Sequence, residues 1–253
     1  MIPPFAKTCL DLKEVGSTSD RARELVLSSD PDLPLVVRAR LQTAGRGRGE
    51  HRWFSDEGSL TFTVAIDPQE FRLRRDHEPR LALALAVEII DVVESLIGRS
   101  DLMMIRWPND IECSGKKVAG LLPERVETPN GPRLLIGIGI NVTTDFSNAP
   151  DEVRRMAVSI DELSDRPIDA DSVLESLLGR FPDFLSRLAD DEPALSQEWL
   201  RRDSLLGQPV RLALGEKLVC GIGQGVDASG GLKIRSGDVE RTFHAGQVLR
   251  ASD

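Results

Sequence analysis

Residues 42–53 (QTAGRGRGEHRW) limit the possible folds of this chain more than any other segment. Glycine alternates with arginine there, and no apolar residue lies between Ala44 and Trp53, so the segment cannot bury a face in a helix or a sheet. Alternating glycines let backbone N–H groups approach a ligand, and arginines add permanently charged donors for carboxylate or phosphate. Predicted strands flank the segment at residues 33–41 and Ser59–Ile66. We therefore interpret it as an anion-binding loop in a hairpin-like frame, with a solvated flexible loop as the alternative.

The charge distribution favours a small anionic ligand. The 253 residues carry a net charge of −9, which disfavours general binding to nucleic acids or anionic membranes. Residues 145–203 hold 15 acidic and 7 basic side chains, whereas residues 38–53 hold five arginines and a single acid, Glu50. A local basic site in an acidic protein suits a small anion better than a polyanion.

The cysteine and hydropathy patterns predict a soluble protein of a reducing compartment. Cys9, Cys113 and Cys220 are widely spaced and odd in number, which supports neither a disulfide framework nor a zinc site. The N-terminal sequence lacks the apolar core of a signal peptide. The longest apolar-rich run, residues 81–93, contains two acidic residues and is too short to span a bilayer. We therefore expect a cytoplasmic protein.

Hydrophobic periodicity predicts both helices and strands before residue 207. Ser17 or Thr18 is expected to cap a helix, and a long helix over residues 78–98 is expected to end near Gly98. Strict alternation in Ser59–Ile66 predicts a half-buried antiparallel strand. Further strands are predicted at residues 33–41, 103–107, 116–122 and 133–142, and further helices at residues 159–163, 169–189 (broken or kinked by Pro182) and 193–206.

From residue 207 the sequence changes character. Residues 210–250 contain five short β-like runs separated by Gly, Asp and Ser turns. This pattern predicts a small all-β barrel of roughly 45 residues, docked on the main domain. We therefore expect two domains, residues 1–206 and residues 207–253.

Lys117 is the most unusual residue of a predicted strand. Alternation places it on the same face as Ala119 and Leu121, and a lysine among core residues is costly unless an anion accompanies it. Asp110 or a ligand phosphate could supply that anion. Asn109 and Asp110 follow a proline at the end of the preceding strand, where a turn directs side chains toward a pocket. An ordinary structural turn is the alternative, since Asn and Asp are common in turns.

Two further features are compatible with close contact to a ligand. Gly137 and Gly139 are spaced by two in a predicted strand, which indicates close approach of a ligand or of backbone to one face. Asn141 ends that strand with a side chain that can both donate and accept hydrogen bonds. Trp53 is either an ordinary core residue or a flat platform for a ring at the mouth of the loop.

Taken in order, these segments resemble the motifs of one family, the biotin protein ligases. The resemblance covers nearly the whole chain and implies an α+β fold. It implies a mixed or antiparallel sheet with helices, in the class II synthetase-like biotin/lipoate ligase catalytic fold, followed by a small SH3-like β-barrel. The matching motifs are Gly16-Ser17-Thr18, Gln42-Thr43-Ala44-Gly45-Arg46-Gly47-Arg48 with Trp53, Trp107-Pro108-Asn109-Asp110, Lys117-Val118-Ala119-Gly120, Gly137-Ile138-Gly139-Ile140-Asn141-Val142, Gly225-Val226-Asp227-Ala228-Ser229-Gly230 and Gly246-Gln247-Val248.

The resemblance also implies a two-step reaction. Biotin and MgATP give biotinyl-5′-adenylate and pyrophosphate, and the biotinyl group then passes to a lysine of a biotin carboxyl carrier domain of a carboxylase. Lys117, Arg48 and Asp110 match the residues implied in catalysis, and no metal ligand is assigned to the protein. The residues implied in biotin binding are Ser17, Thr18, Gln42, Gly45, Arg46, Lys117, Gly120 and Gly139, and those implied in ATP or adenylate binding are Arg46, Arg48, Trp53, Asn109, Lys117 and Asn141.

The chain departs from the family pattern at a few positions. Gly49, Glu50 and His51 stand where the family commonly has Arg-Gly-Arg, and Glu50 adds negative charge to a loop that gathers anions. Arg106 replaces the usual lysine before Trp-Pro-Asn-Asp, which keeps the charge but changes the geometry. Ser19 stands where Asn is common.

Some family members carry an N-terminal winged-helix DNA-binding domain. The residues before Ser17 leave no room for one, so we expect a monofunctional enzyme without specific DNA binding. A homodimer is one expected state, since members of the family dimerise through different surfaces. Two rival hypotheses are a lipoate or octanoate ligase on the same fold and a non-catalytic sensor that binds biotin or the adenylate.

Overall fold

In the computed structural model, which describes residues 5–249, seven strands form one mixed sheet. They lie in the order β1-β2-β3-β7-β6-β5-β4, with β1 and β2 parallel and the other neighbours antiparallel. Because β2 and β3 are antiparallel neighbours, the predicted hairpin-like frame around residues 42–53 is confirmed. The strands are β1 (Thr8–Val15), β2 (Leu35–Gln42), β3 (Ser59–Ile66), β4 (Met104–Arg106), β5 (Asp110–Cys113), β6 (Lys116–Thr128) and β7 (Gly131–Asn141).

Helices cover both faces of this sheet. Ser17 caps the first helix and Gly98, at φ 70°, ends the second, as predicted. Of the predicted helix 159–163, only a three-residue 3₁₀ helix forms at Asp161–Leu163. The helices are α1 (Thr18–Ser28), α2 (Glu78–Ile97), α3 (Asp151–Met156), α4 (Ala170–Ala189) and α5 (Pro193–Arg201). The sequence did not predict α3, because six residues are too few to show a helical period, and α4 continues through Pro182.

The strand β3 is buried on both faces, so the prediction of a half-buried strand was wrong. Leu60, Phe62 and the following alternate residues pack with α2 and α4 in the main core. Ala65 lies on the opposite face, in a smaller core with Ala22 of α1. Alternation showed which residues face the larger core, but it did not show that α1 covers the other face.

Five more strands form an antiparallel sheet at the C-terminus. They lie in the order β11-β10-β9-β8-β12, and their pairings leave β11 and β12 as edges. Val210, Leu212 and Ile234 belong to the same core as α2, and Trp107 Nε1 donates to Gly230 O at 3.0 Å, so the sheet is docked on the main body as predicted. The strands are β8 (Pro209–Leu214), β9 (Lys217–Val226), β10 (Leu232–Ser236), β11 (Val239–Phe243) and β12 (Gln247–Val248). Arg250 of the last predicted run, like residues 1–4 and 251–253, lies outside the described residues.

The segment that connects the two sheets is pinned to β4. The predicted helix 193–206 ends at Arg201, since the chain then pairs with Ile105. Ile105 N donates to Arg202 O at 2.7 Å, and Ser204 N donates to Ile105 O at 3.0 Å. Backbone N–H and C=O groups that are hydrogen-bonded to a neighbouring strand in this way are not available for the hydrogen bonds of a continuing helix.

Candidate active site

Two paired glycines leave bare backbone on the face of the sheet that carries α1. Gly120 of β6 is directly opposite Gly139 of β7, and Thr61 of β3 is the next residue across. Thr63 identifies the face, because its hydroxyl donates to the Thr18 hydroxyl of α1 at 2.9 Å. We call Gly120 and Gly139 the glycine strip.

The Trp53 indole lies directly against the glycine strip. A β-carbon added to Gly139 would lie 2.5 Å from Trp53 Cε2, and one added to Gly120 would lie 3.0 Å from Trp53 Cζ3. Glycine is required at position 139 for this approach, and a side chain at position 120 would press on the ring. The backbone of Trp53 is held by its N–H, which donates to Gly45 O at 2.9 Å, and its indole N–H is buried without a partner among residues 5–249. The ring therefore lies on glycine backbone and is not part of either apolar core.

Lys117 lies at one end of the glycine strip and is paired with Asp110. Its Nζ is 2.6 Å from Asp110 Oδ1, with side-chain exposures of 30% and 23%, and 5.4 Å from the centroid of the Trp53 ring. The β-carbon that Gly120 lacks would lie 3.0 Å from Lys117 Nζ. Of the two anions that the sequence left open as partners of Lys117, the structure shows Asp110.

The prediction that Lys117 shares a face with Ala119 and Leu121 was wrong. Ile111 of β5 pairs with Ala119, whereas the next residue, Glu112, pairs with Lys117. One residue of β6 is therefore extra and forms a β-bulge, which reverses the facing of the residues before it. The bulge turns Lys117 toward the glycine strip, while Ala119 and Leu121 join the main core.

The side chains of Asn109 and Asn141 hold the backbone of β6 on either side of the strip. Asn109 Nδ2 donates to Leu121 O, and Asn109 O accepts from Leu121 N at 2.9 Å. Asn141 is 3% exposed, and its Nδ2 donates to Lys117 O at 3.1 Å. Both residues therefore position the strand that presents Lys117. Asp110, predicted to lie in a turn, is the first residue of β5.

Ser17, Thr18, Gln42 and Gly45 lie together at the N-terminus of α1. The Thr18 backbone N–H and hydroxyl both donate to Gln42 Oε1, at 2.7 Å and 3.1 Å. Ser17 Oγ accepts the N–H of residue 20 at 3.4 Å and so caps the helix. A β-carbon on Gly45 would lie 3.1 Å from Gln42 Nε2. This cluster can present hydroxyl and amide groups to a polar ligand.

Arg46 is bound to two carboxylates, those of Glu124 and Asp20. Its Nη2 donates to Glu124 Oε1 at 2.7 Å, and its Nη1 donates to Glu124 Oε2 at 3.2 Å and to Asp20 Oδ1 at 2.7 Å. The hydrogen bond with Glu124 raises the pKa of Arg46. Its guanidinium is fully charged in this setting.

Arg48 extends from the loop to the C-terminal sheet. Its Nη1 donates to Gly246 O at 3.4 Å. Burial lowers the pKa of Arg48, and the nearby Asp110 carboxylate opposes that shift. Arg48, Asp110 and Lys117 thus form one charged group at the same end of the site.

The structure shows partners of the two arginines that the sequence did not assign. Glu124 and Asp20 bind Arg46, and Gly246 binds Arg48. A signal for Glu124 existed, since Gly120, residue 122 and Glu124 alternate along one face of β6. Asp20 was assigned only to the first turn of α1, and nothing local to Gly246 indicates a partner 198 residues away.

Within residues 5–249, no group of three or more His, Cys, Asp or Glu side chains is arranged to hold a metal ion. No helix in this range is long and apolar enough to cross a bilayer. Cys9, Cys113 and Cys220 are free thiols.

Comparison with protein families gives two matches. The model of the Biotin/lipoate A/B protein ligase family matches residues 12–141, and the model of the Biotin protein ligase C terminal domain matches residues 205–250. The first match covers the glycine strip and the residues grouped around it. The second covers the C-terminal sheet.

Similar individual proteins are named as ligases. The Bifunctional ligase/repressor BirA of Bacillus spizizenii is 37% identical over 166 residues, 65% of this chain and 49% of the relative. The Biotin–[acetyl-CoA-carboxylase] ligase of Paracoccus denitrificans is 29% identical over 234 residues, 91% of this chain and 96% of the relative. A solved structure, the biotin protein ligase from Aquifex aeolicus in complex with biotin and ATP, is 29% identical with a TM-score of 0.79, covering 96% of this chain and 98% of that chain. This chain spans about half the length (49%) of the two Bacillus relatives it matches.

Proposed function

The chain belongs to the biotin/lipoate A/B protein ligase family, and we propose that it is an ATP-dependent biotin protein ligase. In the first step, the biotin carboxylate attacks the α-phosphate of ATP, giving biotinyl-5′-AMP and pyrophosphate. In the second step, the ε-amine of a lysine on a biotin carboxyl carrier domain attacks the mixed anhydride and releases AMP. The names of the Paracoccus relative and of the Aquifex complex support this choice.

The position of the Lys117 ammonium beside the glycine strip is the observation that carries the proposal. A carboxylate that attacks a phosphate brings two anions together, so the site must supply positive charge that water does not screen. Lys117 is mostly buried and its partner in this structure is the Asp110 carboxylate, which a ligand carboxylate or phosphate can replace. Charge-assisted hydrogen bonds of this kind are worth about 1.5–3 kcal/mol each.

The same residues serve the second step. A lysine amine with a pKa near 10.4 must lose a proton before it can attack. Asp110 lies next to Lys117 and is 23% exposed in its side chain, so it is accessible to an incoming amine. We assign Asp110 the role of orienting that amine and accepting its proton. We assign Arg48 the role of covering the adenylate until the amine attacks it.

The remaining assignments follow the geometry of the two ends of the site. Ser17, Thr18, Gln42 and Gly45 present hydroxyl and amide groups suited to the ureido ring of biotin, and we assign Gly120 and Gly139 to biotin because they let the Trp53 indole lie flat beside its chain. Mg²⁺ enters with ATP as part of the MgATP substrate. The proposed adenylate ligands are Trp53, Asn109, Asn141, Lys117 and Arg48. Arg46, which the resemblance also implies as a ligand, is held on Glu124 and Asp20 in this structure, and we do not assign it to the adenylate.

The proposal extends to partners and organisation. The protein partner is the carrier domain of a carboxylase, the compartment is the cytoplasm, and a homodimer is one possible assembly. The net charge of −9 supports the absence of specific DNA binding. The catalytic residues lie in a ligase domain of residues 1–206, and residues 207–253 form the C-terminal domain; the separate seven-stranded and five-stranded sheets support this division.

The test is a measurement of pyrophosphate release with ATP and either biotin, lipoate or octanoate. A biotin ligase releases pyrophosphate with biotin and transfers label from biotin to a purified carrier domain. Release with lipoate or octanoate but not with biotin would instead identify a ligase of the related substrate class. Tight biotin binding without any pyrophosphate release would identify a non-catalytic sensor.

A further inference from the structure

Residues 45–53 form a small hairpin, which we call the hairpin loop. Arg46 and Arg52 pair as an antiparallel bridge. Gly47 N donates to His51 O at 2.8 Å, and His51 N donates to Arg48 O at 3.2 Å. Arg46 thus lies on the first side of the hairpin loop, and Arg52 lies on the second side, directly before Trp53. A contact that fixes the Arg46 side chain therefore also fixes the side of the hairpin loop that pairs with the segment leading to Trp53.

Glu124 contacts the hairpin loop through the Arg46 side chain. It accepts from both terminal nitrogens of Arg46, at 2.7 Å and 3.2 Å, in the two-point geometry that gives specificity as well as energy. Its side chain is only 17% exposed, and Arg23 Nη2 lies 3.1 Å from Glu124 Oε1. Glu124 is therefore itself held in place by α1 and has little freedom to leave Arg46.

The contact between Glu124 and Arg46, which we call the clamp, lies away from the charged end of the site. Lys117 Nζ lies beside Gly120, and Glu124 is four residues farther along β6, or roughly 13 Å at the rise of a strand. Both Nη atoms of Arg46 are already occupied by the carboxylates of Glu124 and Asp20. A guanidinium held in this way orders the loop and cannot at the same time neutralise a phosphate beside Lys117.

We propose that Glu124 is a positioning residue that holds the hairpin loop, and with it the Trp53 indole, over the glycine strip through Arg46. The inference rests on the proposed ligase function for its kinetic consequence. A loop that is held by this contact needs less free energy from biotin binding to order it. Loss of the clamp therefore weakens biotin binding and leaves the chemical step, which occurs at the Lys117 end, at its normal rate.

The test uses Glu124→Gln with Glu127→Gln as the matched control. The glutamine amide turns an N–H₂ toward one Arg46 nitrogen, donor against donor, so the two-point contact is lost. Glu127 lies on the same strand, is 65% exposed, and contacts Arg125 at 2.7 Å and Arg75 at 3.7 Å, both outside the hairpin loop. Arg46→Lys keeps the charge but lacks the fork, so it should reproduce the effect of Glu124→Gln.

Hydrogen exchange of the backbone amides of Gly47, His51 and Trp53 gives a readout that needs no activity. We expect these amides to exchange roughly tenfold faster or more in Glu124→Gln and Arg46→Lys, the scale of one charge-assisted contact. Amides of α2 and all amides in Glu127→Gln should be unchanged. Equal exchange of the three amides in Glu124→Gln and Glu127→Gln would overturn the proposal.

Steady-state pyrophosphate release separates positioning from catalysis. We expect KM for biotin to rise roughly tenfold in Glu124→Gln, with kcat close to that of the wild type. A fall in kcat with KM for biotin unchanged would overturn the proposal, since it would place Arg46 at the reacting atoms. If the wild type releases no pyrophosphate with biotin, the proposed function fails, and the exchange experiment still decides whether Glu124 holds the loop.

Discussion

Replacing Asp203 with asparagine should stabilise the protein at neutral pH. Asp203 lies in the segment that joins the two sheets and is 5% exposed. Its Oδ1 accepts the Leu205 N–H at 2.9 Å, whereas Oδ2 is buried without a partner within residues 5–249. Burial raises the pKa of Asp203 from 3.8 to about 6; the Leu205 N–H opposes this rise and the Glu112 carboxylate adds to it.

The magnitude and the sign follow from that pKa. A rise of about two units corresponds to roughly 3 kcal/mol, since each unit is worth about 1.4 kcal/mol. The folded protein holds the Asp203 proton more tightly than the unfolded chain, so the free energy of unfolding falls as the pH rises from about 4 to about 6. Above pH 6 the folded state carries the whole penalty. Asparagine stays neutral, keeps an oxygen for the Leu205 N–H and removes the penalty.

We expect Asp203→Asn to exceed the wild type in free energy of unfolding by up to roughly 3 kcal/mol at pH 7.5 and to equal it at pH 4. Urea titrations followed by circular dichroism at pH 4, 5, 6 and 7.5 measure this difference. Asp76→Asn is the matched control, since Asp76 is exposed and its hydrogen bond with Arg74 lowers its pKa, so it should show no gain at pH 7.5. A gain of equal size at pH 4 and pH 7.5, or a loss at pH 7.5, would refute the reasoning.

Three further predictions concern the site. Lys117→Ala should slow adenylate formation by roughly 100- to 1000-fold, the scale for one preorganised charged donor; a near-normal rate of pyrophosphate release would remove Lys117 from the site. Arg48→Gly should release the adenylate early, because Arg48 links the hairpin loop to Gly246; biotin labelling of a bystander protein mixed with the carrier detects this, and labelling confined to the carrier would contradict it. Since the Trp53 indole lies on the glycine strip, biotin bound beside it should change the tryptophan fluorescence of the wild type but not of Trp53→Phe. No change in the wild type would mean that biotin does not bind next to the indole.

Features with a local cause could be predicted from the sequence. The alternation of Ser59–Ile66 and the capping signals at Ser17 and Gly98 placed a strand and two helix ends correctly. An anionic partner for Lys117 was predicted as well, with Asp110 as one of two candidates, although the core-facing position on which that prediction rested was wrong. These inferences need only the period of an element, its end residues and the cost of an unpaired charge.

Tertiary structure decided which distant groups meet. The bulge that turns Lys117 toward the glycine strip depends on the pairing of β5 with β6, and a one-residue change of facing is invisible to a period of two. Arg46 and Glu124 are 78 residues apart, and they meet because α1 and the loop cover the same face of β6. The Gly/Arg segment by itself determined that a charged loop stands between two strands. Its partners, and the contact of Trp53 with two glycines, depend on the order of strands in the sheet, which burial of the whole core selects.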